Sequence, residues 1–311
     1  MINYFNQQLQ SIFASRRALA KERSQSQNKA LLALHPNFDE LLKAKKQTEL
    51  DIVKSKSKGL DTSQLQNSLE KINGDIKRYA QENNLQFTPP YLCPTCKDSG
   101  YIEGEPCECL RAQYDALIKE NASLTSLPKF TFEDNEFASM DIPQAKGMNK
   151  LYSIMRDKVC NDFEGCKWNN FMLSGASGVG KTCLALATAH ALLDKGVSAL
   201  YLSAFEFVNI FLDKHTHKQT ELSKKSDYVG ECEMLIIDNF GEEPIYKNVT
   251  LEYLFSTLDK RMANNKKTFI CTQLHPNVLI ARYGETFVSK FADKKYSLSV
   301  GYITGENLRK V

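Results

Sequence analysis

Eight consecutive residues, Gly175, Ala176, Ser177, Gly178, Val179, Gly180, Lys181 and Thr182, have the types and spacing needed to hold a polyphosphate, G-x-x-x-x-G-K-T. The three glycines let the backbone wrap closely and aim N–H groups at phosphate oxygens. Lys181 has the reach for the outer phosphates, and the Thr182 hydroxyl can ligate magnesium. The flanks suit that role. Phe171-Met172-Leu173 reads as a buried strand leading in, Leu184, Ala187 and Ala191 recur at helical spacing behind it, and Gly196 is placed to end that helix. A glycine-rich turn before an ordinary helix accounts for neither the lysine nor the threonine, so ATP binding is expected.

A second segment completes such a site. Met234-Leu235-Ile236-Ile237-Asp238 is an apolar strand ending in a carboxylate, which would sit beside the loop and hold magnesium through water. The next position usually carries an acid that orients or deprotonates the attacking water; here it is Asn239. An amide can position water but accepts no proton, and losing a general base costs roughly 10²–10⁴ in rate. Glu242 and Glu243 follow closely, and spacing alone does not choose between them as a substitute.

The third cluster is of thiols. Cys93-Pro94-Thr95-Cys96 and Cys107-Glu108-Cys109 form two close pairs, with Gly100 and Gly104 between them to turn the chain. Two such pairs complete a tetrahedron around zinc, with all four ligands sulfur and no open position for catalysis. A segment this short has almost no core, so the metal would supply most of its folding energy. A redox pair would instead call for a thioredoxin-like strand and helix around one Cys-x-x-Cys, and that pattern is missing. The five remaining cysteines, Cys160, Cys166, Cys183, Cys232 and Cys271, are scattered and read as small buried hydrophobes.

The elements that must position these residues follow from patterning. From Trp168 onward, strand candidates at 170–174, 198–202, 234–237, 268–272 and 296–300 alternate with helix candidates near 181–195, 205–212, 249–264 and 277–292. Alternation of this kind predicts an α/β fold, a mostly parallel sheet with helices on both faces. Met148, Leu151, Tyr152, Met155 and Val159 give an amphipathic helix ahead of the loop. Residues 1 to about 85 read as helical, with an apolar stripe of Leu65, Leu69, Ile72, Ile76 and Tyr79. An earlier helix around Phe38, Leu41, Leu42 and Ile52 is expected to break at 54–59, the two forming an antiparallel pair. Thr88-Pro89-Pro90 stops any helix. The boundaries so drawn are 1–90, helical; 91–125, a four-cysteine zinc module with a short helix; and 126–311, an ATP-binding domain.

Composition adds bounds. The 311 residues are 42% hydrophobic and 25% charged, with a net charge of +3, an ordinary soluble balance. Residues 1–90 hold 14 Lys/Arg against 9 Asp/Glu, a bias that permits an acidic partner without requiring one. No apolar run approaches a bilayer span and the first residues lack a signal-peptide pattern. A cytoplasmic protein with no membrane contact is therefore expected. Lys224-Lys225-x-x-Tyr228 and Lys294-Lys295-Tyr296 have the mix of base and aromatic that binds single-stranded DNA.

In combination, Cys93-Pro94-x-Cys96-x-Asp98-x-Gly100-Tyr101, Cys107-x-Cys109, the loop at 175–182, Ile236-Ile237-Asp238-x-x-Gly241, and the tail residues Tyr283-Gly284, Ser289-Lys290 and Gly305-Glu306-Asn307-Leu308-Arg309 resemble bacterial replicative helicase loaders of the DnaC/DnaI type. The resemblance covers about residues 91–311. It implies an AAA+ P-loop domain preceded by a small zinc-containing helicase-binding domain; the helical residues 1–90, a candidate helicase-binding segment, agree only in type and position. The partners it implies are a replicative DNA helicase ring and single-stranded DNA, with self-association on the helicase. It also places Gln273 where the family usually has a sensor Asn, Lys290 where it has an Arg that reaches the neighbouring subunit's ATP, and Asn307 where an Asp is usual. Arg309 keeps the family's terminal, nucleotide-contacting Arg. Lysine cannot reproduce the forked donor of arginine, and a missing arginine finger is worth roughly 10³–10⁵. With Asn239, this predicts a protein that binds ATP and hydrolyses it slowly. Two alternatives remain open: a transposon helper ATPase of the IstB type, which shares the core but lacks the cysteines, and a non-catalytic ATP-binding adaptor.

Overall fold

The computed structural model describes residues 4–85, 89–135, 137, 143–218, 220–305 and 307. The chain forms two compact units, one of Gln7–Arg111 and one of Met1–Asn6 with Ala112–Val311.

The smaller unit is built on three helices, α1 (Asn6–Leu34), α2 (Pro36–Ser57) and α3 (Ser63–Glu82). Helix α2 opens on a proline at its first position, with Asp39 in its first turn and Lys54 and Lys56 in its last, the arrangement that suits both the missing N–H and the helix dipole. It runs through the lysine-serine stretch and stops only at Lys58 and Gly59. The expected break at 54–59 is thus set by Gly59, with φ +70, because alternating lysine and serine do not oppose a helix. Helices α2 and α3 pair antiparallel: Phe38, near the start of α2, meets Tyr79, near the end of α3, with ring centroids 5.4 Å apart. The stripe of α3 is only half covered and the helix buries no residue fully. The cysteine segment follows, with a hairpin of β1 (Tyr101–Ile102) and β2 (Glu105–Pro106), and then α4 (Glu108–Asn121), within which the unit boundary falls.

The larger unit contains a five-stranded parallel sheet of β3 (Asn170–Gly175), β4 (Ala199–Ser203), β5 (Met234–Phe240), β6 (Lys267–Thr272) and β7 (Ser297–Ile303), in the order β4-β5-β6-β3-β7. Strands β3 and β6 are buried at every position, so both faces of the sheet are covered, as continuous apolar strands require. The α/β class and the five strands agree with expectation to within a few residues. The cover comprises α5 (Pro143–Ile154), α6 (Lys181–Asp194), α7 (Ala204–His215), α8 (Glu221–Glu231), α9 (Thr250–Ala263), α10 (Pro276–Tyr283) and α11 (Glu285–Ala292).

Two helix expectations need correction, and one helix was not expected. The helix read from 148 to 159 ends as α5 at Ile154 and continues as a π turn from Met155 to Cys160. The single helix read at 277–292 is two, divided at Gly284 with φ +85, a backbone state that favours glycine. Helix α8 has no counterpart in the apolar pattern. It is started by a capping box in which Thr220 and Ser223 satisfy each other's backbone N–H groups.

Arg261 of α9 ties this unit together. It is fully buried; Nε donates to Thr268 Oγ1 at 3.0 Å, and Nη1 to the carbonyls of Val229 at 2.8 Å and Cys232 at 2.9 Å. Nη2 donates to the Lys267 carbonyl. One side chain thus joins the end of α8, the approach to β5, α9 and β6. Arg261→Met is expected to destabilise the chain by about 3 kcal/mol, because several buried acceptors lose their donor. Lys260→Ala, which breaks an exposed 2.7 Å ion pair with Glu231, is expected to cost under about 1 kcal/mol. Urea unfolding of both variants tests the contrast.

Candidate nucleotide site and cysteine cluster

Strand β3 ends at Gly175, and the residues up to Thr182 turn into the N-terminus of α6. Gly178 and Gly180 hold φ of +79 and +92, which lets the loop curl without a Cβ. At 180 a Cβ would lie 2.6 Å from the Phe137 ring, and at 178 it would collide with the Asn307 side chain. The glycines are therefore required by packing as well as by backbone conformation. Gly175 through Thr182 thus present a helix N-terminus at the carboxyl edge of the sheet, an arrangement that binds anions.

Lys181 is buried, and its Nζ donates to the carbonyls of Gly175 at 2.8 Å and Ala176 at 2.7 Å. These are neutral acceptors, and a phosphate oxygen would be a stronger, charge-assisted partner for the same ammonium. Thr182 Oγ1 donates to Asp238 Oδ2 at 2.7 Å, across from the end of β5. Asp238 is buried, and its other oxygen accepts the N–H of Asn239 at 2.8 Å. The two sequence segments, far apart in the chain, converge in one cleft of about 720 Å³ lined also by Ser177, Gly178, Gly180, Asn239, Glu242 and Gln273. Its apolar wall is formed by Leu127, Pro128, Phe130, Phe137, Tyr152 and Leu186, a surface suited to the flat face of a base.

Asn239 is exposed with φ +55, a left-handed state that asparagine tolerates better than most residues. The amide at this position therefore has a backbone reason. The two following acids separate. Glu242 lines the cleft and accepts Gln273 Nε2 at 2.9 Å. Glu243 is buried, accepts the Gly241 N–H at 2.8 Å and is bonded to the Tyr283 hydroxyl. Burial and Glu243 push the Tyr283 phenol up. Lys290 is not brought to the cleft; it pairs with Asp259 of α9. Asn307 lies at Gly178, and Arg309 lies outside the described residues.

Tyr201 was not singled out in the sequence. It lines the cleft and donates its phenol to Asp238 Oδ2 at 2.7 Å. A tyrosine on an apolar strand carries no signal of that contact, since only the pairing of β4 with β5 brings it beside Asp238. The wall has no pattern of its own in the sequence, because Leu127, Pro128, Phe130 and Phe137 come from irregular chain before α5 and join Tyr152 of α5 and Leu186 of α6 only in the fold. One expectation fails outright: Tyr228, read with Lys224 and Lys225 as a base-stacking surface, is buried against Tyr4 and Phe5. Its burial removes it from any nucleic acid. Tyr296 is exposed, with Lys295 Nζ 4.8 Å from its ring centre.

In the smaller unit the four thiols of Cys93, Cys96, Cys107 and Cys109 lie within 4.8 Å of one another. The Cys93–Cys107 and Cys96–Cys109 sulfur separations are 3.9 and 3.4 Å. Four sulfurs about 2.3 Å from one zinc ion would be about 3.8 Å apart, so the cluster fits that ion. Gly100 N–H donates to Cys96 Sγ, and the buried Asp98 carboxylate accepts the N–H groups of Leu92 and Cys93 at 2.9 and 2.8 Å. Arg17 of α1 donates to the Asp98 carbonyl at 2.7 Å, and Phe13 packs against Gly100. The Cys96 N–H draws the Cys93 thiol down to about 7, while burial pushes Cys109 up. A divalent cation would remove that conflict by favouring all four thiolates.

The loop, the buried carboxylate and the parallel sheet in the order β4-β5-β6-β3-β7 define a P-loop ATP-binding protein of the AAA+ class. Residues 117–289, over half of the chain, match the family described as IstB-like ATP binding protein, and the chain belongs to that family. Its match begins after the last clustered cysteine, so it describes the ATP-binding core. Among relatives, the chain is 27% identical over 143 residues to the replicative helicase loader DnaI of Bacillus subtilis, covering 46% of this chain and 45% of that protein. It is 27% identical over 177 residues to the chromosomal replication initiator protein DnaA of Campylobacter jejuni, covering 57% of this chain and 38% of that protein. The chain thus spans under half the length of these curated relatives. A crystal structure of DnaI shares 22% identity and a TM-score of 0.43, covering 58% of this chain and 90% of that one. The likeness to helicase loaders read from the motifs is borne out by the match in sequence to the Bacillus subtilis loader.

Three outcomes are expected. Lys181→Ala is expected to weaken binding of a fluorescent ATP analogue at least about 100-fold, while Asp238→Asn is expected to abolish its dependence on magnesium, in line with removal of a buried charged partner. Elemental analysis of the reduced chain is expected to find one zinc ion, which Cys96→Ser should lose.

Proposed function

We propose that the protein is an ATP-binding helicase loader that delivers a replicative helicase ring to single-stranded DNA. In this reading ATP occupancy, more than turnover, sets its grip. ATP and magnesium are held by residues 175–182 and Asp238, with zinc on Cys93, Cys96, Cys107 and Cys109. Lys181 neutralises the outer phosphates, Thr182 and Asp238 take the metal, and the aromatic wall receives the base. Glu242, presented by Gln273, orients the attacking water in place of an acid at 239, so hydrolysis is slow. The helical segment binds the helicase, Lys294, Lys295 and the exposed Tyr296 offer a surface to DNA, and copies associate on the ring. The carrying observation is the four thiols gathered at one point just ahead of the ATP-binding core.

A second reading, a transposon helper ATPase, is favoured by the family match over 117–289. It leaves the cysteine cluster without a role. The two separate in one experiment: binding of the host's replicative helicase to the full chain with ATP, ADP or no nucleotide. A loader is expected to bind the ring and to change affinity at least about tenfold between nucleotide states, with Lys181→Ala locked in the nucleotide-free value. Affinity indifferent to nucleotide would favour a passive adaptor, and no binding in any state would favour the transposon reading. Steady-state turnover is expected below about one per second, given the missing acid and finger. Glu242→Gln should lower it further, and Glu243→Gln is expected to affect stability instead.

A further inference from the structure

We infer that Tyr201 is a positioning residue of the nucleotide site, whose phenol fixes the direction of the Asp238 carboxylate and thereby sets how tightly the site holds a divalent cation. The inference rests on reading the cleft as a site for ATP with magnesium. Strand β4 is an edge strand, yet Tyr201 is held on both sides of it. Along the sheet it pairs with Ile236 of β5, and its N–H donates to the Ala122 carbonyl at 3.1 Å. Its ring is buried, so the hydroxyl has little freedom.

Two hydroxyls meet at one carboxylate oxygen, Thr182 Oγ1 and Tyr201 OH, each 2.7 Å from Asp238 Oδ2. A threonine hydroxyl has one proton and two lone pairs. Giving the proton to Asp238 leaves lone pairs for a cation on the cleft side. That division of labour holds only while Asp238 stays where it is. The Asn239 N–H holds one oxygen at 2.8 Å, and Tyr201 holds the other without offering a ligand of its own. Removing partners that orient a metal ligand typically costs about 10–100-fold in metal affinity.

The test compares the full chain with Tyr201→Phe, which keeps the ring, by titrating a fluorescent ATP analogue at a series of magnesium concentrations. The variant is expected to match the parent within about twofold without magnesium. It is expected to need about tenfold more magnesium for half-maximal tightening. Its melting midpoint without nucleotide should fall by only about 5 °C, because the loss is one hydrogen bond to a carboxylate that keeps two other donors. An unchanged or lowered magnesium requirement in the variant would overturn the inference, as would an equal loss of affinity with and without magnesium, which marks a packing role only. A parent that binds no analogue, or binds it indifferently to magnesium, would remove the nucleotide reading itself and this inference with it.

Discussion

A single buried carboxylate organises the larger unit. Asp238 sits at the carboxyl end of β5, with Thr182 from the phosphate loop, Tyr201 from β4 and its own following N–H all donating to it. A carboxylate cannot be buried without such donors, so the loop, the edge strand β4 and its neighbour β5 must arrive together for the unit to fold. The same requirement assembles a site. Once Asp238 is satisfied, the N-terminus of α6, Lys181 and Thr182 face one cleft, and glycines at 178 and 180 let the loop close around it.

On the proposed reading, the parts that bind and the parts that accelerate are differently placed. Binding groups lie on rigid elements, the end of β3, the start of α6 and the end of β5, which is where precise geometry is cheapest to hold. The residues at positions tied to hydrolysis are diverted. Asn239 occupies a left-handed turn, Gln273 is engaged with Glu242, and Lys290 is paired with Asp259 inside the same chain. If Lys290 is to serve a neighbouring subunit, as the proposed reading requires, this internal ion pair must first be broken. On the proposed reading, such a protein holds ATP as a state to be reported and spends it slowly.

Much of this was legible in the residues. The loop and Asp238 are local patterns whose meaning survives without tertiary information, and strands buried on both faces announce themselves as apolar runs. The four cysteines are legible for the same reason, since a metal-like cluster depends on spacing more than on packing. What could not be read depends on contacts between distant segments. Tyr201 looks like any core tyrosine until β4 pairs with β5, and Tyr228 looks exposed until Tyr4 and Phe5 cover it. The choice between Glu242 and Glu243 is fixed by a backbone turn at Gly241, with φ +106, that sends one acid to the cleft and the other to Tyr283. Helix α8 was missed because its start is encoded by a capping box and its apolar face is short.

On the proposed reading, Thr182 and Asp238 close on the metal of one triphosphate. A crystal structure of the full chain with magnesium and a non-hydrolysable ATP analogue tests it most directly. The cation is expected about 2.1 Å from Thr182 Oγ1, with Asp238 reaching it through water and Lys181 released from the Gly175 and Ala176 carbonyls to the phosphates. A triphosphate bound elsewhere, or a cation that leaves Thr182 and Asp238 bonded only to each other, would contradict it.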